Sequence, residues 1–174
     1  MKWRRLFCLL LAALMLLSLA ACGKGDGETK NSNQLKVGDY ELLYKGAYIT
    51  EDYAGDDAIV LTLDFKNNSK KSAAYVDSII ELPVQNQENL EFTAVYVSEE
   101  SDEMVSDSQL TEVAPGETIE IKTAFVLADT TSEVEVLFEN IRGDKNASLT
   151  IDPSTLSQEP AQSGSASLTG DSKA

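Results

Sequence analysis

The chain contains no histidine, and only two cysteines, one tryptophan and four prolines among its 174 residues. Without imidazole there is no His-based general acid or base and no His-ligated metal site. Positive charge is scarce too: 14 Lys+Arg stand against 29 Asp+Glu, a formal net charge of -15. A phosphate backbone binds a basic face, so this balance excludes a nucleic-acid partner. Long amphipathic helices and internal repeats are also missing. What remains is 43% hydrophobic residues, enough for a core. The length fits one domain with tails, at about 100–200 residues per domain.

The N-terminus reads as an address. Lys2, Arg4 and Arg5 precede a charge-free apolar run from Leu6 to Ala21. That run is shorter than the roughly 20 residues that cross a bilayer as a helix. It ends in small residues, as a cleavable signal does. Leu19-Ala20-Ala21-Cys22 resembles the lipobox of bacterial lipoprotein signals. The resemblance implies a lipid on the Cys22 thiol and cleavage between Ala21 and Cys22. Two acyl chains then hold the protein where one is marginal. The expected location is the extracytoplasmic face of the cell membrane. Cys8 leaves with the signal and Cys22 carries lipid, so the mature chain keeps no free thiol for a disulfide, a metal or nucleophilic catalysis. Losing three basic residues takes the formal charge from -15 to -18.

Residues 1–21 are therefore read as signal and 22–34 as a polar, Gly-rich, lipidated tether. Residues 153–174, rich in Ser, Gly, Ala and Gln, are expected to be a disordered tail. Between them, residues 35–152 show a period of two. Ile59, Leu61, Leu63 and Phe65 share one side of a strand; so do Ile119, Ile121, Phe125 and Leu127, and Val134, Val136 and Phe138. Val76, Ile80, Leu82 and Val84 share a side, as do Leu90, Phe92 and Tyr96. Leu149 and Ile151 make a short last strand. Tyr40, Leu42 and Tyr44 are in phase but Ala47 and Ile49 are shifted, with Gly46 where a bulge belongs. Ala114-Pro115-Gly116-Glu117 has the order of a type II turn. Seven or eight strands, apolar on one side and acidic on the other, predict an all-β, immunoglobulin-like antiparallel sandwich.

Two segments carry a resemblance. Leu63-Asp64-Phe65-Lys66-Asn67-Asn68-Ser69, followed later by Ala114-Pro115-Gly116-Glu117, resembles the immunoglobulin-like domains of unknown function in Gram-positive lipoproteins. Those domains also tend to have Gln-Asn-Gly before a Leu; here Gln85-Asn86 is followed by Gln87. The resemblance implies a fold and a cell location, and no catalytic residue.

Candidate chemistry is sparse. Glu51, Asp52, Asp56 and Asp57 cluster in one turn, and Asp52, Asp56 and Asp57 are weak candidates for a cation, without the spacing of a calcium loop. Ser98 to Ser108 carries five carboxylates, and with its flank forms a long acidic connection. Met104-Val105 is placed to pin its middle. A carboxylate-pair hydrolase lacks any marked pair. Tyr40, Tyr44, Tyr48, Tyr53, Tyr75 and Tyr96 are expected to bury their rings and keep hydroxyls at the rim. The expectation is a non-enzymatic binding or accessory module. It needs no cofactor and is held to the membrane by its lipid. Its ligand would be an extracytoplasmic protein, peptide or envelope component. A calcium- or cation-dependent module and a hydrolase are the alternatives.

Overall fold

The structure is a computed structural model that describes residues 33–98 and 101–159. The signal, Ala21, Cys22 and nearly all of the tether lie outside the described residues. Eight strands follow in order: β1 (Gln34–Val37), β2 (Tyr40–Glu51), β3 (Asp57–Asn67), β4 (Ile79–Gln85), β5 (Glu88–Asn89), β6 (Thr118–Val126), β7 (Val134–Asn140) and β8 (Asn146–Ile151). Short 3-10 turns occupy Val105–Leu110 and Pro153–Thr155.

The strands form two four-stranded antiparallel sheets, ordered β1-β2-β3-β6 and β5-β4-β7-β8. Their inner faces share one core. Ile59, Leu61, Leu63 and Phe65 of β3 and Ile121 and Phe125 of β6 meet Val134, Val136 and Phe138 of β7 and Leu149 and Ile151 of β8. Each such side chain contributes about 1.5–3 kcal/mol on burial. The expected bulge is present: Tyr44 pairs with Leu63 and Gly46 with Thr62, leaving Lys45 as the extra residue. It carries Leu42 and Ile49, an odd number of residues apart, to the same face.

The polar turn after β3 and the Pro-Gly turn before β6 are one unit. Asn67 is buried, and its Nδ2 donates to Lys71 O (2.7 Å) and Val113 O (2.8 Å). Its Oδ1 accepts from Ser69 N (2.9 Å). Gly116 N donates to Asn67 O, and Glu117 N to Ala114 O closes the turn. Gly116 takes a φ of 85°, which Gly adopts without strain. The two recognisable segments thus hold each other in place.

Two differences from expectation and one agreement matter. First, the domain has wider limits. Gln34 already pairs with Leu43, and residues 153–159 belong to the fold. Leu156 packs on the core. Ile49 N donates to Ser157 O, and Glu159 N to Ile49 O. The unpaired part of the β2 edge captures this segment.

Second, the described part of the acidic connection is pinned at Met104-Val105, as the sequence predicts. Tyr96 pairs with Met104, and Val105 N donates to Val95 O (2.9 Å). Val95 and Val105 form a second small core with Ala58, Val60 and Ala124 on the outer face of β3 and β6, and Val105 is 5% exposed.

Third, β4 is turned over. Ile79, Glu81, Pro83 and Gln85 point inward, while Ile80, Leu82 and Val84 point out. Polar anchors hold that phase. Gln85 Nε2 donates to Asp129 O and Ser132 O (2.8 Å each), and its Oε1 accepts from Ala128 N (2.8 Å). A one-residue slip would pull Gln85 off these partners.

Candidate functional site: the outer face and edge of β4

Turning β4 over leaves an apolar column on the outer face of its sheet. Ile80, Leu82 and Val84 stand opposite Glu139, Leu137 and Glu135 of β7. Leu82 is 42% exposed. Beside the column, on the edge away from β7, lies a cleft of about 260 Å³ lined by Tyr75, Val76, Ile79, Ile80, Glu81, Phe92 and Gln109. Phe92 is 60% exposed, its ring packed edge-on against Phe125 at 5.2 Å.

The edge is open because β5 is short. It pairs only with Val84 and Gln85, and Leu90 N then donates to Pro83 O (2.9 Å). The chain next crosses to the other sheet, where Val126 N donates to Glu91 O and Thr93 N to Ala124 O. Pro83 has no N–H and spends its carbonyl on Leu90. Ladder alternation then directs the Glu81 N–H and C=O away from β7, toward the cleft.

Glu81 lies at the cleft's base, 7% exposed. Tyr75 Oη donates to its Oε1, and Thr123 Oγ1 donates to its Oε2 (2.7 Å). Burial raises the Glu81 pKa, and the two hydroxyl hydrogen bonds only partly oppose that. Burial, then the Glu81 charge and hydrogen bond, pushes the Tyr75 phenol well up. The triad joins the connection before β4 to both sheets. It is a satisfied structural network, and Glu81 is the one carboxylate among the cleft's lining residues.

The other candidates resolve as follows. Asp52 faces its own hairpin: Oδ1 accepts from Ala54 N (2.8 Å) and Asp56 N (3.0 Å), and Oδ2 accepts from Thr93 Oγ1. Burial raises its pKa, but the bonds from Thr93, Asp56, Ala54 and Gly55 outweigh this and the net shift is downward. Asp56 and Asp57 are exposed. Among the described residues no group of three or more acidic or thiol side chains is placed to hold a metal ion. Asp52, Asp56 and Asp57 are therefore not brought together; the turn consumes the Asp52 oxygens. Tyr40 stacks on Phe65 and Tyr75 is fully buried, but Tyr53 is 68% exposed. Alternation in the sequence assigns the apolar side of β4 to the core and so does not mark the strand as a site.

The two sheets differ in ion pairing. From Ser72 to Ile121 there is no Lys or Arg but twelve Asp and Glu. The two ion pairs among the described residues, Lys45–Asp64 (3.3 Å) and Lys66–Glu41 (3.9 Å), both lie on the first sheet. Glu135 and Glu139 have no such partner.

An antiparallel two-sheet sandwich with an uncovered apolar strand at one edge is the class of protein these features define. The chain belongs to the family described as a domain of unknown function (DUF5067), whose profile matches residues 24–140. Two solved structures resemble it. A Staphylococcus aureus protein classed as a lipoprotein shares 13% identity at a TM-score of 0.58, covering 74% of this chain and 93% of its own. A protein from Enterococcus faecalis shares 22% identity at a TM-score of 0.51, covering 69% of this chain and 89% of its own. At these identities the likeness is one of fold. No curated protein matches the chain.

Proposed function

We propose that the protein is a lipid-anchored, extracytoplasmic binding module without enzymatic activity, tethered through Cys22 and using β4 as its binding surface. One observation carries the binding role. The fold turns Ile80, Leu82 and the half-buried Val84 outward while burying Glu81 and Gln85 in their place. An uncovered apolar patch on a soluble domain marks an interaction surface. The S. aureus neighbour's classification and the Leu19–Cys22 signature support the anchor. The strand order supports an immunoglobulin-like topology, with β2, β3 and β6 as strands A, B and E and β5, β4, β7 and β8 as C′, C, F and G.

A photo-crosslinking residue at position 82 in living cells tests the surface. Discrete adducts at position 82, absent when the probe replaces Leu43 on the other sheet, are expected. Equal or no crosslinking at both positions would overturn the assignment. Replacing Cys22 with Ala should release the protein from the membrane fraction or leave its signal uncleaved. Normal processing and anchoring of that variant would rule out the lipid anchor.

A further inference from the structure

Resting on the binding-module reading, we infer that the β4 face and edge take a protein segment with an apolar centre and flanking lysines or arginines. The apolar centre follows from the column Ile80–Leu82–Val84, from Leu137 opposite Leu82, and from the cleft that continues it past Ile80 to Val76 and Phe92. The basic flanks follow from charge. Glu139 and Glu135 stand directly beside Ile80 and Val84 on β7. Asp77, Glu88 and Glu91 lie in the chain on either side of the cleft residues, all exposed. Arg142 and Lys145 lie at the end of the β7–β8 hairpin near Glu139, but among the described residues no cation forms an ion pair with any of these carboxylates. Complementary charge around an apolar centre steers association and rejects like-charged partners.

Two other occupants fit less well. A second copy related by a two-fold axis would place this face against itself, bringing Glu135 and Glu139 near their own copies. An anionic lipid surface is repelled by the same carboxylates. An extended segment also suits the edge. The Glu81 N–H and C=O face the cleft, and strand addition satisfies such groups with main-chain bonds.

The test uses the mature lipidated protein in zwitterionic micelles and three labelled peptides: Lys-Lys-Val-Leu-Val-Lys-Lys, the same peptide with Glu for Lys, and the Lys peptide with a Ser-Ser-Ser centre. The first should bind at least tenfold more tightly than either control. Leu82→Asp should weaken it at least tenfold, although this substitution makes the domain more acidic. Leu43→Asp, on the other sheet, should leave it unchanged. Glu135→Lys with Glu139→Lys should reverse the preference toward the Glu peptide, a second arm independent of the folding of Leu82→Asp. Equal binding of the Ser-centred peptide, or undiminished binding by Leu82→Asp, would reduce the attraction to net charge and overturn the inference. Dimerisation in sedimentation, or binding to phosphatidylglycerol vesicles, abolished by Leu82→Asp would assign the face to a second copy or to lipid and overturn it likewise. If crosslinks at position 82 persist while the peptides show no preference, the surface stands and only the partner chemistry fails. If the crosslinks also vanish, both fail.

Discussion

The two sheets treat their outer faces in opposite ways. On the first sheet the chain covers the strands at its β3–β6 side, where Val95 and Val105 close over Ala58, Val60 and Ala124, and leaves the single Leu43 exposed on β2. Its outer charges also pair, Lys45 with Asp64 and Lys66 with Glu41. On the second sheet nothing in the described chain covers Ile80 and Leu82. Its carboxylates stand without ion pairs among the described residues. Apolar side chains on an outer sheet face are thus not by themselves a sign of function. They become one only where the protein leaves them uncovered.

The largest expected effect lies on the covered face. Val105→Asp places a charge in the small core and should cost about 3 kcal/mol or more. Leu82→Asp, exposed, should change stability by only about 0.5 kcal/mol. Urea melts of both variants check the contrast, and similar losses would mean that the two faces are equally buried. Next comes Gln85→Ala, expected to cost about 1–2 kcal/mol because it empties the buried Gln85 site and removes the bonds to the half-buried backbone of residues 128–132. A loss below half of that would show that Gln85 does not hold the phase of β4.

Glu81 gives a pH test of the same phase. Its pKa is raised in the fold. A raised carboxyl contributes stability below its unfolded pKa, and that contribution is lost as pH rises through the folded value. Glu81→Gln removes the loss, so its stability relative to the parent should increase from pH 4 to pH 8. Asp52, Asp129 and Asp144 are shifted the other way by hydrogen bonds, against burial for each of them. Their contributions are present above the unfolded pKa and fall away in acid, equally in parent and variant. A pH-independent difference between the two would place Glu81 in solvent.

One further effect is a gain. Asn86 and Gln87 form the two-residue β4–β5 turn with φ of 54° and 69°. Both positive values mark a type I′ turn, which favours Asn-Gly. Gln87→Gly should therefore raise stability by about 1 kcal/mol. A loss on thermal melting would argue against that turn.

Much of the fold was legible in the sequence. Ile59 to Phe65, Val134 to Phe138 and the paired Leu149 and Ile151 face the core as their alternation predicts. Gly46 marked the bulge, and Pro115-Gly116 marked the turn. The site was not legible. Alternation separates the two faces of β4 but does not say which face another sheet will cover. By residue type, Ile80, Leu82 and Val84 belong inside, and Glu81 and Gln85 belong outside.

The chain's local chemistry therefore determined the strands, the turns, the acidity and the lipobox resemblance, because each depends on residues a few positions apart. Tertiary structure alone decided which apolar faces are covered. Glu81 stays inside through Thr123 of β6, and Gln85 through the backbone of residues 128–132, all some forty residues further along. Buried polar groups persist where distant partners satisfy them. Those partners exist only once the two sheets have closed on each other, and closing them is what turns the apolar side of β4 toward the solvent.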